Sequence, residues 1–297
     1  EKIQEKPQEK IQDIEPMYTS NITDNYALVH GILPHRIVTE TGIIYSKTRD
    51  YTEGKRIVLN EKGAFEKELL HLDSDTEYFV WAYAYNEFDT VYSDVATFRT
   101  SRVLIENGYE CVDLGLSVKW ATCNVGATRA EEYGDYFAWG ETQAKSTYNW
   151  STYKWSNDYI TRSKYNTKMG YGTIDNKTQL DFSDDAARVN WGGNWRMPTD
   201  VEITELYEQC TWTEVALNGV KGYKVTSKIN GKSIFLPAAG WHGGSSFEKV
   251  GFGGYYWSSS LCTFNPYFAW GISFNSYAVG RHIFECHLGQ SVRPVCP

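Results

Sequence analysis

The sequence predicts a mainly β protein with a few short helices, in which a β-sandwich is followed by an α+β domain. Three observations support this prediction. Aromatic residues make up 15% of the 297 residues, and 25 Gly accompany only 3 Met, a composition that favours strands and tight turns over helical bundles. Short β-prone runs recur through the first hundred residues. Composition and charge then change together near residue 100, which indicates two domains.

The chain divides into three predicted segments, 1–16, 17–102 and 103–297. Residues 1–16 form a charged, Gln-rich run interrupted by Pro7, which predicts a flexible tether. Residues 1–100 carry 11 Lys and Arg against 18 Asp and Glu, whereas residues 101–297 carry 18 against 19. Ten of the 11 Trp and all six Cys also lie beyond residue 100. We therefore expect the domain boundary between Thr100 and Gly108.

Charge and hydropathy exclude several classes of protein. A net charge of -8 lacks the basic field that binds nucleic acid, so no nucleic-acid partner is expected. The mean hydropathy is -0.48, and no window approaches the roughly 20 apolar residues of a spanning helix. The sequence does not begin with Met, so we expect a removed signal peptide or lipoprotein leader, with membrane contact only through such a lipid anchor.

Short strands separated by turn residues are predicted in the first domain, at the spacing typical of a sandwich. In the run from Glu77 to Tyr85 both alternating faces are apolar or aromatic, which indicates a central strand. The predicted strands are Tyr26 to Ile32, Ile37 to Tyr45, Arg56 to Leu59, Glu77 to Tyr85 and Val95 to Arg99.

The segment from Leu72 to Tyr78 reads LDSDTEY and resembles the fibronectin type III pattern Leu-x-Pro-x-Thr-x-Tyr, with Ser74 in place of the Pro. The resemblance covers about residues 16–100, and it extends to VATFRT at 95–100, which is similar to the last strand of such domains in bacterial surface proteins. It implies that Leu72 fills the core and that the Tyr78 hydroxyl bonds back to the backbone of the corner. Such domains usually act as spacers that display another domain.

Six blocks beyond residue 107 resemble the Fibrobacter succinogenes major paralogous domain of surface and secreted proteins in Bacteroidota and Fibrobacteres. The resemblance covers roughly residues 107–297. That family is in turn similar to the C-type-lectin-like fold of formylglycine-generating enzymes. The blocks are YECVDLGLSVKWATCNVG at 109–126, EYGDYFAWGET at 132–142, WGGNWRMPT at 191–199, LPAAG at 236–240, YWSSS at 256–260 and GQSVRPV at 289–295.

Two short helices are predicted in the second domain. Thr199 stands where an N-cap is expected, and Glu202 three residues later completes a capping box. An apolar stripe then includes Ile203, Leu206, Tyr207 and Cys210. A second helix is expected from Ser183 to Val189 with Ser183 as its cap. Both helices are interpreted as scaffold.

Aromatic strands are predicted at 255–260, 267–274, 282–286 and 291–295. In the lectin-like fold the first and last strands pair, and the resemblance implies that Cys111 and Cys296 are neighbours. Six Cys are compatible with three disulfides in an exported protein or with buried thiols, and both interpretations stay open. No Cys and His spacing typical of a structural zinc site occurs.

The sequence contains few features that identify catalytic residues, and no catalytic residue is predicted. The sequence has no nucleophile elbow, phosphate-binding loop or His-Glu-x-x-His motif. Formylglycine-generating oxidases hold copper with two late Cys, and the late pair here, Cys286 and Cys296, departs from the closer spacing of that family. A nucleophilic pair of Cys286 and His287 is disfavoured, because adjacent strand residues point to opposite faces.

Rings mixed with polar residues provide candidate sugar sites, since a sugar presents an apolar C–H face to a flat ring. The ligand-binding candidates are Trp150, Tyr153, Trp155 and Tyr159 in one polar segment, and Trp241, His242 and Tyr255 in a second group. The alternative is that these rings cover the core. No calcium-binding lectin motif occurs, although Asp135, Glu141 and Asp158 could supply oxygen ligands. No cofactor or metal is therefore expected.

These observations predict an exported protein, either a cell-surface lipoprotein or secreted, whose lectin-like domain binds an extracellular glycan or protein. The alternatives are a formylglycine-generating-enzyme-like oxidase and a purely structural surface module. Exposure of the rings between Trp150 and Tyr159 would distinguish a binding site from a covered core.

Overall fold

The computed structural model describes residues 10–156 and 161–297. The chain forms two compact units, Glu1–Val103 and Leu104–Pro297. Strands dominate both units, so the prediction of a mainly β chain with a few short helices is confirmed. Within the described residues, neither α-helix has the length and apolar composition needed to cross a bilayer.

From residue 10 onward, two antiparallel sheets build the first unit. One has the strand order β1-β2-β5, and the other has the order β4-β3-β6-β7 with β8 also paired to β6. The strands are β1 (Tyr18–Ser20), β2 (Tyr26–Leu33), β3 (Glu40–Ser46), β4 (Lys55–Val58), β5 (Gly63–Leu70), β6 (Glu77–Tyr85), β7 (Thr90–Tyr92) and β8 (Ala96–Arg99).

The strand β6 is central, as its composition predicts. It pairs with β3, β7 and β8, and residues on both of its faces are buried. Val80 and Ala82 lie in the same core as Ala27 and Val29 of β2, which joins the inner faces of the two sheets. Alternation along each strand therefore places one apolar face of each sheet in a shared core.

The corner before β6 has the geometry that the fibronectin type III resemblance implies. The backbone N–H of Asp73 donates a hydrogen bond to the Tyr78 hydroxyl oxygen at 2.9 Å. Leu72 is buried at the edge of the core. The hydroxyl thereby ties the chain before the strand to the strand itself.

Two expectations for the first unit are wrong. Ile11 and Ile14 are buried in the core, so the latter part of the predicted tether packs against the sandwich. Lys10, Asp13 and Glu15 are exposed, and these charged residues around the two isoleucines make the apolar spacing hard to recognise in the sequence. The predicted start of β3 at Ile37 is also wrong, because Ile37 has a φ of +61°, which is incompatible with a strand, and β3 begins at Glu40.

The described residues of the second unit form four sheets, with the orders β20-β11-β10-β9, β12-β13-β14, β15-β16 and β17-β18-β19. Its helices are α1 (Ala186–Trp191) and α2 (Asp200–Gln209). Its strands are β9 (Leu104–Glu106), β10 (Tyr109–Val112), β11 (Lys119–Ala121), β12 (Cys210–Leu217), β13 (Val220–Ser227), β14 (Ser233–Pro237), β15 (Trp241–Gly243), β16 (Ser246–Glu248), β17 (Gly253–Leu261), β18 (Phe268–Asn275), β19 (Ala278–Glu285) and β20 (Val295–Cys296).

The helix α2 begins as predicted. The Thr199 hydroxyl accepts from the Glu202 amide at 3.2 Å, and the Glu202 carboxylate accepts from the Thr199 amide at 2.7 Å. Ile203 and Leu206 are buried, whereas Tyr207 at the edge of the predicted stripe is exposed. The capping box therefore fixes the start of the helix and the stripe fixes its buried face.

The other predicted helix is displaced along the chain. It runs over Ala186–Trp191, and its cap is Asp185, whose carboxylate accepts from the Arg188 amide at 2.9 Å. Ser183, the predicted cap, lies instead in a 3-10 turn over Phe182–Asp184. An acidic side chain satisfies helix amides as well as a serine does, and three candidate caps stand in sequence here.

The last strand of the second unit closes a sheet that begins with its first strands. Lys119 of β11 lies opposite Cys296, and Cys111 of β10 lies opposite Ala121 on the other side of β11. Cys111 and Cys296 therefore lie in one sheet on the two strands that flank β11. The predicted strand at 291–295 is shorter than expected, since β20 covers only Val295–Cys296.

Tryptophans form the centre of the second unit, which accounts for much of its aromatic content. Trp139, Trp195 and Trp257 are fully buried. Their ring N–H groups donate to the carbonyl oxygens of Ser258, Glu106 and Phe137 at 2.7 to 2.8 Å. Each ring thus packs in the core with its one polar atom satisfied.

Candidate functional site

Short backbone ladders hold the hairpin β15–β16 beside the segment that carries Trp150. The amide and carbonyl of Gly244 pair with those of Tyr148 at 2.8 and 2.7 Å. The amide and carbonyl of His242 pair in the same way with Gly289 at 2.7 and 2.9 Å. The hairpin is therefore fixed by bonds to two other segments and not by its own two strands alone.

One face of the hairpin carries His242, which is buried. His242 lies opposite Phe247, with ring centroids 4.4 Å apart, and its imidazole also lies 4.6 Å from the ring of Tyr148. Burial lowers the pKa of His242 below its ordinary value. The prediction that His242 binds a ligand is wrong, because only 5% of the residue is exposed.

The outer face of the hairpin presents Trp241. Its neighbour His242 points inward, so alternation places Trp241 and Gly243 on the opposite face. A Cβ atom on Gly243 would lie 2.3 Å from Cζ3 of Trp241, so the indole rests directly on the glycine backbone. Glu248 is exposed and lies opposite Trp241 across the hairpin. Trp241 is half-buried, and its register partner on the neighbouring strand is Glu248.

Sequence reasoning missed Gly243 and Glu248 as parts of this surface. The signal is present in the sequence, because a glycine two residues after a tryptophan on a strand leaves space on the same face. It becomes readable only once the hairpin register pairs Trp241 with Glu248.

Trp150 is half-buried at the start of a 3-10 turn over Trp150–Thr152. The Asn149 side chain caps this turn by accepting from the Thr152 amide at 3.0 Å. The indole lies 4.6 Å from the imidazole of His287 and meets the ring of Tyr267 edge-on at 5.5 Å. Trp150 is therefore half-buried and packed against both of these rings.

An ion pair orders the segment that carries Trp150. The Lys145 ammonium lies 2.8 Å from the Glu141 carboxylate and donates to the Thr152 carbonyl at 2.8 Å. The same carboxylate accepts from the Lys154 amide at 2.8 Å. Glu141, a candidate calcium ligand, is thus engaged on both sides of the turn that carries Trp150.

Tyr153 and Trp155 do not offer free rings to a ligand. Only 1% of Tyr153 is exposed, and its hydroxyl donates to the Trp139 carbonyl at 2.7 Å, so its prediction as a binding residue is wrong. The ring of Trp155 lies 4.2 Å from the Lys154 ammonium and 4.9 Å from that of Lys164. These cations occupy the positions over the ring that a sugar would need.

The remaining candidates are separated. Tyr255 is half-buried on β17, and its ring meets Phe284 edge-on at 5.7 Å. The second predicted group thus divides between a core histidine, a ring on the outer face of the hairpin and a ring on another sheet. Tyr159 and Asp158 lie outside the described residues.

All six cysteines are buried free thiols. Cys286 lies 3.8 Å from a guanidinium nitrogen of Arg162, and burial raises its pKa to about 11. Burial and the neighbouring Cys111 raise the pKa of Cys296 to about 12. Cys286 and Cys296, the pair compared above with the copper ligands of formylglycine-generating oxidases, therefore have different surroundings. Within residues 10–156 and 161–297, no three His, Cys, Asp or Glu side chains form a group that could hold a metal.

Comparisons with known proteins find similarity to solved fibronectin type III domains over about a third of the chain. The sixth such domain of the human fibronectin type III domain containing protein 3 is 14% identical, with 34% of this chain and 94% of that chain covered and a TM-score of 0.29. The domain from the human KIAA0970 protein is 15% identical, with 32% and 78% covered and a TM-score of 0.27.

The FN1-FN3 domains of chicken CNTN1 are likewise 15% identical, with 31% of this chain and 32% of that chain covered and a TM-score of 0.28. No family model matches the chain, and no curated protein matches it. The resemblance of the second unit to the major paralogous domain stays a prediction.

Proposed function

We propose that the chain is an exported binding protein whose second unit recognises glycans through Trp241. The observation that carries the proposal is the support of the Trp241 indole by Gly243, with the Glu248 carboxylate opposite. The first unit acts as the spacer that displays this surface outside the cell. Export and the cell surface are the expected setting of the major paralogous domain that the second unit resembles.

A pyranose ring has one face of C–H groups that packs on an indole and a rim of hydroxyls that need acceptors. An indole resting on a glycine loses little freedom when a sugar covers it, because its orientation is already set. Glu248, the register partner of Trp241, supplies a carboxylate acceptor on the neighbouring strand. Its negative charge favours neutral or amino sugars over acidic ones.

Trp150 offers a second ring for the same ligand class. It is half-buried, and its packing against His287 and Tyr267 fixes its orientation. Trp155 is left out of the proposal because two lysine ammoniums lie over its ring. We expect Trp241 to dominate binding and Trp150 to contribute less.

A glycan array with the labelled full chain tests the proposal. We expect binding to neutral or amino-sugar glycans, with at least a tenfold loss of affinity in Trp241→Ala, about 1.4 kcal/mol or more. Trp270→Ala is the matched control, because Trp270 is also half-buried but carries the Arg281 guanidinium 4.0 Å from its ring. Absence of glycan binding, or equal binding by Trp241→Ala and the parent, would overturn the proposal.

A further inference from the structure

We propose that Ser20 in the first unit is a nucleophile, activated by His30, that accepts the acyl group of small cationic esters. The inference goes beyond the proposed function and rests on a different unit. Its basis is a hydrogen-bonded chain of three side chains on one sheet face, next to a groove.

Three neighbouring strands bring these side chains together. Ser20 of β1 has its hydroxyl oxygen 2.7 Å from Nε2 of His30 on β2. The Nδ1 atom of the same imidazole lies 3.1 Å from a carboxylate oxygen of Glu66 on β5. His30 and Glu66 are register partners, and Ser20 follows two residues after Tyr18, the partner of His30, so all four share a face.

The order of the contacts fixes the direction of each hydrogen bond. A carboxylate only accepts, so the neutral imidazole carries its proton on Nδ1 and donates to Glu66. Nε2 is then a lone-pair acceptor, and the Ser20 hydroxyl donates to it. This is the arrangement that a general base needs in order to take a proton from a serine nucleophile.

Packing holds the imidazole in place. The ring of Tyr18 stacks on it with centroids 4.5 Å apart and an interplanar angle of 7°. The His30 side chain is 13% exposed, so it is largely sheltered, whereas that of Glu66 is 68% exposed. We therefore assign His30 as the base and Glu66 as a positioning residue whose effect is weakened by solvent.

The adjacent groove sets the class of substrate. It has a volume of about 430 Å³, and Tyr18, Ile32, Phe65, Glu15 and Glu66 are among the residues that line it. The exposed ring of Tyr18 and the two carboxylates favour a cationic group and disfavour an anionic one. A small ester with an ammonium group matches both the apolar and the acidic parts of this lining.

The reaction is an acyl transfer that balances without a cofactor. The Ser20 oxygen forms a bond to the ester carbonyl carbon while its proton passes to Nε2 of His30. The bond from that carbon to the alcohol oxygen breaks, and the alcohol leaves with the proton from His30. Water then attacks the acyl-serine, gives a proton to His30 and releases the acid as Ser20 recovers its proton.

Labelling with a fluorophosphonate tests the nucleophile. The Ser20 oxygen bonds to phosphorus, fluoride leaves, and the adduct is mapped by peptide mass spectrometry on the full chain. We expect modification at Ser20, its loss in Ser20→Ala, and a labelling rate about 10 to 100 times lower in His30→Gln. Ser74→Ala is the control, since Ser74 is exposed in the same unit. No Ser20 adduct, or a rate unaffected by His30→Gln, would overturn the assignment.

Two further arms test the positioning residue and the substrate class. Glu66→Ala should slow labelling at an unchanged thermal midpoint, and Glu66→Gln should restore part of the rate because its amide oxygen still accepts from Nδ1. Acetylthiocholine should be hydrolysed faster than 3,3-dimethylbutyl thioacetate, its uncharged analogue, and Glu15→Gln should reduce that preference. Equal hydrolysis of the two esters would exclude the cationic class.

Discussion

The imidazole of His287 lies 4.6 Å from the indole of Trp150, and the two rings are tilted by 50°. Burial and, secondarily, the Lys145 ammonium lower the pKa of His287 from 6.5 to about 4. The histidine is therefore neutral at pH 7 and becomes charged only when the surroundings of Trp150 are disturbed or the medium is strongly acidic.

Acidification is expected to destabilise the second unit through His287. An unfolded chain takes up this proton near pH 6.5, whereas the folded chain does so near pH 4. Stability from this group is thus complete above pH 6.5 and is lost as the pH falls toward 4. The loss between pH 7 and pH 5 should be about 2 kcal/mol. Urea unfolding followed by tryptophan fluorescence measures it.

His287→Gln removes the titrating group and should flatten this part of the pH dependence. His282→Gln serves as the control, because His282 lies on the same stretch of chain but is exposed. The comparison uses the change of stability between the two pH values, so a constant cost of either substitution does not affect it. An equal slope in His287→Gln and the parent would contradict the assignment.

Glu141→Gln is expected to loosen the segment around Trp150. The substitution removes the charge that pairs with Lys145, and both side chains are largely buried, at 10% and 21% exposure. We expect a loss of about 1 to 3 kcal/mol and stronger acrylamide quenching of tryptophan fluorescence. Asp75→Asn breaks an ion pair with Arg99 in which both side chains are more than half exposed, and it should cost less than about 1 kcal/mol. Equal costs would show that the Glu141 pair does not order the segment.

Local patterns could be predicted from the sequence because a few neighbouring residues determine them. The capping box of Thr199 and Glu202 and the corner at Tyr78 both span less than ten residues. The strand β5 escaped prediction because GAFEKELL carries three charges and lacks strict alternation. Its pairing with β2 decides its structure, since that register buries Phe65 and Leu69 and leaves the charged side chains outside.

Much of the candidate site could not be predicted either, because it depends on contacts between residues distant in sequence. The abundance of rings near Trp155 is visible in the sequence, but the contact of the Lys164 ammonium with that ring is known only from the structure. Tyr153 and Trp150 differ in burial although they stand three residues apart. Which ring faces solvent depends on contacts distant in sequence, such as those of His287 with Trp150 and of Arg162 with Tyr153.

Tyr78→Phe is expected to weaken the first unit. It removes the hydroxyl that accepts the Asp73 amide at 2.9 Å and leaves that amide without this partner. The cost should be about 1 to 2 kcal/mol in urea unfolding followed by circular dichroism. Tyr85→Phe is the control because Tyr85 is 41% exposed on the same strand, and it should change stability by less than about 0.5 kcal/mol. Equal losses of stability in the two variants would show that the hydrogen bond at the corner does not stabilise the first unit.

Gly243→Ala separates the orientation of Trp241 from its presence. The backbone of Gly243 does not have a positive φ, so alanine meets no conformational barrier there, but its Cβ would lie 2.3 Å from Cζ3 of Trp241. The indole must therefore move off the backbone. We expect glycan affinity to fall about tenfold while the thermal midpoint changes by only a few degrees.

A double-mutant cycle shows whether the glycine acts through the indole. With Trp241→Ala already present, Gly243→Ala should cause little further loss of glycan affinity, because no ring remains to be displaced. Gly280→Ala is the control, since the nearest atom to its Cβ is the imidazole end of the exposed His282, at 3.0 Å. Additive losses in the double variant would mean that Gly243 affects binding by a route other than Trp241, and the supported indole would then not account for recognition.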